Sequence, residues 1–151
     1  MKVSVFADIN STPAELFHLS QDYQRRLEWD VYLSEAYLLG DAIEANVGVD
    51  SFCKGTSGAV MISRYVSFTP PSVAAVTMIK GPLILDRFSG SWSFKSCEGG
   101  TRVTFTYNFR TRPAWLRSII EPCVAWLYRR DMARRLLAFK RWVETKSGEA
   151  K

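Results

Sequence analysis

Runs in which apolar and polar residues alternate occupy most of the chain between residues 1 and 112 and predict β-strands. The alternation is clearest near the end of this region, where Phe105, Tyr107 and Phe109 are separated by polar residues. A first strand is predicted around Val3, and six more strands are predicted at 34–39, 47–54, 59–69, 73–80, 86–96 and 101–111. Because no helix is predicted between those six strands, they indicate an antiparallel sheet with one face covered.

Two short helices are predicted after the first strand, and one long helix is predicted at the end of the chain. Thr12 suits the N-cap and Pro13 the first position of one short helix, and the other is expected around residues 22–29. The long helix is expected over 113–146, with a kink or a break at Pro122. Its apolar positions recur at steps of three or four and form one stripe: Ala125, Tyr128, Met132, Leu136, Phe139 and Val143. Basic residues are placed on the remaining, solvated surface of this helix: Arg129, Arg130, Arg134, Arg135, Lys140 and Arg141.

The predicted sheet is much wider than the helix that has to cover it. A helix is about 10 Å across, whereas seven strands at the usual spacing span about 34 Å. The sheet must therefore curl around the helix, and the short helices must close the remaining gap. This α+β arrangement leaves a hollow between helix and sheet unless large side chains fill it.

Length and composition restrict the class of protein further. The 151 residues suit a single domain over 1–151, with 47% hydrophobic and 23% charged residues as in ordinary globular proteins. Asp8 lies where an export signal would need an apolar run, and no uncharged stretch is long enough to span a bilayer. Three widely spaced cysteines favour reduced thiols, and the single histidine, His18, argues against His-based triads and metal sites. We therefore expect a cytoplasmic protein without a metal or other cofactor.

Charge is distributed unevenly along the chain. Residues 1–75 carry a formal charge of −4, and residues 76–151 carry +9. Such an asymmetry is typical either of a face that binds polyanions or of a solvated helix face. No nucleic-acid-binding motif accompanies the basic residues, so nucleic acid is not expected as a partner.

The segment 115–128 is apolar on nearly all sides and is flanked by arginines. A helix that is apolar all round is covered all round, by a second subunit, by the short helices or by a membrane surface. Bulky apolar residues between arginines suit an interface with anionic lipid, and a homodimer contact suits them as well.

Four stretches, in order along the chain, resemble parts of one protein superfamily. Residues 5–17 (VFADINSTPAELF) resemble its first strand and helix, and residues 64–71 (RYVSFTPP) resemble its strand end before two prolines. Residues 88–105 resemble its Gly-Trp hairpin, and residues 132–144 resemble its amphipathic helix end. Together they resemble the helix-grip fold of the START-like (SRPBCC) superfamily, and most closely its polyketide cyclase/dehydrase branch. The resemblance implies a cavity for a hydrophobic ligand but no particular reaction, because members include carriers, sensors and cyclases.

Polar side chains that face a largely apolar cavity would orient its ligand. Arg64 interrupts the apolar series of its strand and Tyr107 lies between two phenylalanines, so both are predicted to face the cavity. Two alternatives remain: a bulge turns Arg64 outward or an acid pairs with it (Asp50, Asp86 or Glu35), and Tyr107 is an ordinary core residue. The rest of the cavity wall is predicted to comprise Met78, Phe88, Trp92, Phe105, Tyr128 and Met132.

These features favour a protein that binds a hydrophobic small molecule such as a lipid, an isoprenoid or a polyketide-like compound. The resemblance also implies an enzymatic alternative, a polyketide aromatase/cyclase-like protein in which Arg64 and Tyr107 polarise carbonyl groups. Glu28 and Asp30 near the expected mouth invite a general-base role, but acids at a helix end are usually solvated. A third alternative is a peripheral membrane or protein-interaction module that uses residues 115–128. No catalytic set of residues is evident, so the sequence leaves open whether the protein is an enzyme.

Overall fold

The computed structural model describes residues 1–149 and confirms the predicted α+β architecture. Seven strands and two α-helices form within these residues, and their bounds are as follows. The strands are β1 Lys2–Ile9, β2 Leu33–Leu38, β3 Asp50–Gly55, β4 Val60–Thr69, β5 Val73–Lys80, β6 Leu85–Cys97 and β7 Gly100–Thr111. The α-helices are α1 Pro13–Ser20 and α2 Arg117–Glu149, and two short 3-10 helices are Arg26–Glu28 and Ala114–Leu116.

All seven strands belong to one antiparallel sheet in the order β1-β7-β6-β5-β4-β3-β2. Consecutive strands from β2 to β7 are neighbours, whereas β1 crosses over to pair with β7. The tightest connection is the β6–β7 hairpin, in which Cys97 pairs with Gly100 across a turn at Glu98 and Gly99. Gly100 has a φ of +148°, and a Cβ atom there would overlap the Ile9 carbonyl oxygen of β1. Only glycine therefore lets β1 approach this corner of the sheet.

The first short helix forms as its sequence signals predict, whereas the second is shorter than expected. The Thr12 side chain caps α1 by accepting a hydrogen bond from the backbone N–H of Glu15. The region predicted as a helix over 22–29 folds into turns and the 3-10 helix Arg26–Glu28. Pro122 lies near the start of α2 and does not divide the helix, so of the two predicted alternatives, a kink or a break, the break is absent.

The apolar stripe of α2 packs against the concave face of the sheet, as its spacing predicts. Met132, Leu136, Phe139 and Val143 are almost completely buried there. The facing strands supply aromatic rings, including Trp92, which stacks on Phe105 with 4.5 Å between ring centroids. The sheet and α2 thereby enclose a common core, and that core is incompletely filled at one end.

Candidate functional site

A cavity of about 140 Å³ lies between the concave face of the sheet and α2. It extends from β6 and β7 in the interior toward the β3–β4 turn, Pro82 and the segment of α2 near Asp131. Ala59 in that turn lines the cavity and is itself exposed, so the cavity reaches the surface on this side. We call the region around Ala59, Pro82 and Asp131 the mouth of the cavity.

Six of the eight residues proposed from the sequence as ligand contacts line this cavity. They come from two neighbouring strands and from the apolar stripe of α2: Phe88, Trp92, Phe105, Tyr107, Tyr128 and Met132. Their convergence follows from strand alternation in β6 and β7 and from the helical repeat of α2. Their role as ligand contacts remains a prediction.

Arg64 faces away from the cavity, so the predicted inward orientation is wrong. Its guanidinium is 49% exposed and donates to both carboxylate oxygens of Asp50, at 2.7 and 3.1 Å. The pairing of β4 with β5 is irregular on either side of it, and the neighbouring residues Ser63 and Tyr65 face the cavity instead. Both alternatives for Arg64 therefore occur together: irregular pairing accompanies its outward orientation, and Asp50 is the acid that pairs with it. The aromatase/cyclase alternative retains only Tyr107 of its two carbonyl-polarising groups.

Met78 also lies outside the cavity wall, contrary to prediction. The pairing of β5 with β6 stops at Thr77, which faces Ser89, so Met78 pairs with Ser63 of β4 but has no partner in β6. Its sulfur packs against Gly81, just after β5. Ala74 and Val76 are the β5 residues that line the cavity.

A buried ionic cluster forms part of the cavity wall. The carboxylate of Asp30 accepts a hydrogen bond from Arg26 Nε at 2.9 Å and two from Arg135, from Nε at 3.0 Å and Nη2 at 2.9 Å. All three residues are at most 6% exposed. The sequence pattern predicts Asp30 at a solvated helix end and Arg135 on the solvated face of α2, and both predictions are wrong.

Two features of the sequence do point to this cluster. Arg26 and Asp30 are four residues apart, which is the spacing of an ion pair on one turn of helix. Arg135 lies three residues after Met132 and directly before Leu136, so the helical repeat places it beside the apolar stripe. No comparable feature of the chain indicates that the two arginines share one carboxylate.

The charges in this cluster are maintained at neutral pH. Burial alone would raise the pKa of Asp30, but attraction to Arg135 and Arg26 and their hydrogen bonds outweigh it and lower the pKa to about 2. Burial alone would lower the pKa of Arg135, but Tyr107 and Asp30 raise it above its ordinary value. The cluster therefore contains one carboxylate and two guanidinium groups, all of them ionised.

Tyr107 joins the cluster to the aromatic wall. Its hydroxyl oxygen accepts a hydrogen bond from Arg135 Nη1 at 2.6 Å. Burial raises the pKa of Tyr107, and the nearby Arg135 only partly opposes this, so the hydroxyl keeps its proton at neutral pH. A Cβ atom at Gly90 would lie 3.3 Å from the Tyr107 ring, so glycine leaves room for the ring against β6.

A second cavity, a larger groove of about 1100 Å³, lies on the other side of a polar partition. It is bounded by α1, β2, residues 42–46 and the Pro70–Pro71 turn. Gln21 and Tyr23 line both this groove and the inner cavity. The hydroxyl of Tyr65 donates to Gln21 Oε1 at 2.7 Å and lies 3.0 Å from the hydroxyl of Tyr23. This hydrogen-bonded trio separates the two spaces.

Metal-ligand clusters and bilayer-crossing helices are both missing from the described part of the chain. Among residues 1–149, no three His, Cys, Asp or Glu side chains are grouped so that they can hold a metal ion. Neither α1 nor α2, as described, has the length and apolar character that a bilayer-crossing helix requires.

A curved antiparallel sheet wrapped around one long C-terminal helix, with a cavity between them, defines a START-like helix-grip protein. The chain belongs to the polyketide cyclase/dehydrase and lipid transport family, whose sequence profile matches residues 1–144. No curated protein sequence matches the chain.

Solved structures with the same fold have very different sequences. TTHA0849 from Thermus thermophilus superposes with a TM-score of 0.81 at 14% identity, covering 97% of this chain and 99% of its own. The Zhui aromatase/cyclase from Streptomyces sp. R1128 gives a TM-score of 0.79 at 15% identity, covering 97% and 95%. A START superfamily protein from Mycobacterium smegmatis gives 0.79 at 11% identity, covering 95% and 97%. At such identities, these likenesses establish the fold alone.

Proposed function

We propose that the protein binds a hydrophobic small molecule, such as a lipid, an isoprenoid or a polyketide-like compound, in the cavity between the sheet and α2. The observation that carries this proposal is an aromatic-walled cavity that reaches the surface and that the core side chains leave unfilled. Concave sites with mostly apolar walls and a few convergent polar groups are the usual form of small-molecule sites. The described wall has that composition, with the ionic cluster and Tyr107 as its polar part.

The volume limits what enters without rearrangement. An engineered cavity of about 150 Å³ in another protein holds a benzene molecule. The 140 Å³ cavity thus fits about one ring in the present conformation. A longer or multi-ring ligand requires movement of side chains at the mouth or at the partition.

Adjacent alanines on opposite faces of β5 provide a matched test. Ala74 is buried and lines the cavity, whereas Ala75 does not line it. Native mass spectrometry followed by denaturing extraction identifies any co-purified ligand, and a thermal-shift panel of lipids and aromatic compounds identifies added ones. We expect Ala74→Leu, which fills the cavity, to weaken binding at least about tenfold, with Ala75→Leu close to wild type. The proposal would be contradicted if the protein purifies without ligand and no compound of the panel changes its melting temperature.

A second candidate function, attachment to an anionic membrane, rests on an exposed apolar surface beside the mouth. This surface consists of Leu83, which is 89% exposed, Trp115, which is 78% exposed, and Ile119 and Trp126 of α2. Ile119 and Trp126 are seven residues apart and so lie on one face of the helix. The backbone N–H of Arg112 donates to the carbonyl of Ile84, which joins the loop of Leu83 to the start of this segment.

The charges around the exposed apolar surface favour anionic lipid as its partner. Residues 110–130 contain five arginines and one acid, Glu121. Glu121 is largely buried and accepts a hydrogen bond from the backbone of Thr111, so its charge is directed inward. Tryptophan and aliphatic side chains flanked by arginine suit the boundary between head groups and acyl chains. At the cytoplasmic location expected from the sequence, the adjoining leaflets are anionic.

The position of this surface connects it to the ligand site. Leu83 directly follows Pro82, which lines the cavity at its mouth. A membrane at this surface would face the mouth and supply or receive a hydrophobic ligand over a short distance.

Co-sedimentation with phosphatidylcholine vesicles, with and without phosphatidylserine, tests the membrane proposal. We expect binding only with phosphatidylserine, weakening as salt is raised, and lost in the double variant Trp115→Ala/Trp126→Ala. The control is Tyr37→Ala, which removes an exposed aromatic ring on β2. A different result would assign the surface to a second copy of the chain: no vesicle binding at low salt, and a dimer in light scattering that dissociates in the double variant.

A further inference from the structure

We propose that the ligand carries an anionic oxygen group, a carboxylate in the simplest case, bound by Arg26 and the Tyr107 hydroxyl beside Arg135. This inference rests on the proposed function, because it specifies the chemistry of the molecule that occupies the cavity. It is carried by the charges and hydrogen bonds of the buried cluster.

The first argument is the charge balance of the cavity wall. Arg26 and Arg135 are both at most 6% exposed and share the single carboxylate of Asp30, which leaves one excess positive charge. An uncompensated buried charge is costly unless a counter-charge or strong hydrogen bonds accompany it. The Arg26 guanidinium lies 4.8 Å from the Trp29 ring, and further aromatic rings lie near both arginines, but these cation–π contacts offset only part of that cost.

The other titratable groups of the wall do not supply the missing negative charge. Burial raises the pKa of Cys53, Tyr23 and Tyr65, so these groups are neutral at pH 7. Asp131 is the remaining acid that lines the cavity among the described residues. It is partly exposed at the mouth and pairs with Arg130 at 3.6 Å, at the end of the cavity where α2 meets solvent.

The second argument is the supply of unused donors. Arg26 donates from Nε to Asp30 and from Nη1 to the Ser20 carbonyl, and in the described residues its Nη2 has no acceptor. Tyr107 accepts from Arg135 Nη1, so its own hydroxyl proton is available to another acceptor. Both residues line the cavity. An anionic oxygen between them would gain hydrogen bonds from charged or polarised donors, which are stronger than neutral ones.

These features favour hydrophobic acids as ligands and disfavour hydrophobic amines. A hydrophobic acid places its ring or chain against Trp92, Phe88 and Phe105 and its carboxylate at the excess cation. A hydrophobic amine would add a further positive charge to a buried cationic site. The site is therefore selective for acids over neutral and basic molecules of the same shape.

Benzoate, benzamide and benzylamine are matched probes for this inference, because their rings are of the size that the cavity accepts. We expect wild-type protein to bind benzoate about 10-fold to 100-fold more tightly than benzamide, and benzylamine to bind least, in ligand-observed NMR titrations at pH 7. Benzoate labelled with ¹³C at the carboxyl reports its ionisation, and its pKa should fall on binding. Equal binding of benzoate and benzamide would overturn the inference while leaving the cavity function intact.

Two variants test which side chains cause the preference for benzoate over benzamide. Arg26→Met leaves the Asp30–Arg135 pair neutral, so the preference for benzoate over benzamide should disappear while benzamide still binds. Tyr107→Phe retains all three ionised groups and should reduce the preference about tenfold or less, which keeps the test available if Arg26→Met does not fold. The control, Arg64→Met, removes an arginine outside the cavity and should change neither affinity. A retained preference in folded Arg26→Met would contradict the inference, and failure of all three probes on wild-type protein would contradict the cavity function and this inference together.

Discussion

The environment of a single carboxylate determines how the interior of this protein responds to acid. Asp30 has a folded-state pKa of about 2, below the ordinary value of about 3.9 for an unfolded chain. A depressed pKa means that ionised Asp30 favours the folded state. The contribution is fully present above the unfolded-state pKa and is lost as the pH falls through the folded-state pKa.

Replacing Asp30 by asparagine should therefore destabilise the protein in a pH-dependent way. At pH 7, Asp30→Asn leaves two buried guanidinium groups without a counter-charge, and we expect the free energy of unfolding to fall by about 3–5 kcal/mol. Urea unfolding at a series of pH values should show this difference narrowing between about pH 5 and pH 2. Asp50→Asn, which disrupts the exposed pair with Arg64, is the control and should have a much smaller effect. A difference that stays constant over that pH range would refute the argument.

Residue orientation is the least predictable property of the site. The sequence places Phe88, Trp92, Phe105 and Tyr107 correctly because β6 and β7 pair regularly from Arg87 onward. It misplaces Arg64 because the irregularities of β4 depend on its partner strand, and such irregularities leave no mark in the alternation of β4 itself. Strand periodicity thus predicts which residues share a face only while the pairing stays regular.

At the scale of secondary-structure elements, α2 both covers the concave face of the sheet and forms one wall of the cavity. Leu136 is 2% exposed in the core, whereas the adjacent Leu137 faces outward and is 44% exposed. We expect Leu136→Ala to lower the free energy of unfolding by about 2–5 kcal/mol and Leu137→Ala to lower it by about 0.5 kcal/mol or less. Thermal and urea unfolding of the two variants check this, and similar losses in both would show that the apolar stripe is misassigned.

The strands and the long helix are predictable from the sequence because their periodicity is sustained over many residues. Turn signals such as Glu98-Gly99-Gly100 and Pro70-Pro71 then set the strand ends. The second short helix is overestimated because its length is limited by long-range contacts. Arg26 and Asp30 are directed inward toward Arg135, more than a hundred residues later, and local propensity contains no information about that partner.

At the scale of the whole molecule, aromatic side chains fill part of the hollow between the sheet and α2, and a cavity of about 140 Å³ remains. Met132 is fully buried and forms part of the wall. We expect Met132→Ala to enlarge the cavity and to raise the affinity for 2-naphthoate relative to benzoate, although it also costs about 2–5 kcal/mol of stability. Leu136→Ala is the control, because Leu136 does not line the cavity. An unchanged affinity ratio in folded Met132→Ala would show that Met132 does not limit ligand size.

The hydrogen-bonded trio of Gln21, Tyr23 and Tyr65 limits the length of the ligand that the protein can accommodate. Two phenols and one amide lie between the inner cavity and a surface groove several times larger. If Gln21 and Tyr23 change rotamer together, the two compartments merge into one elongated tunnel without any movement of the sheet. The longest molecule that the protein accommodates is then set by the rotamers of two side chains.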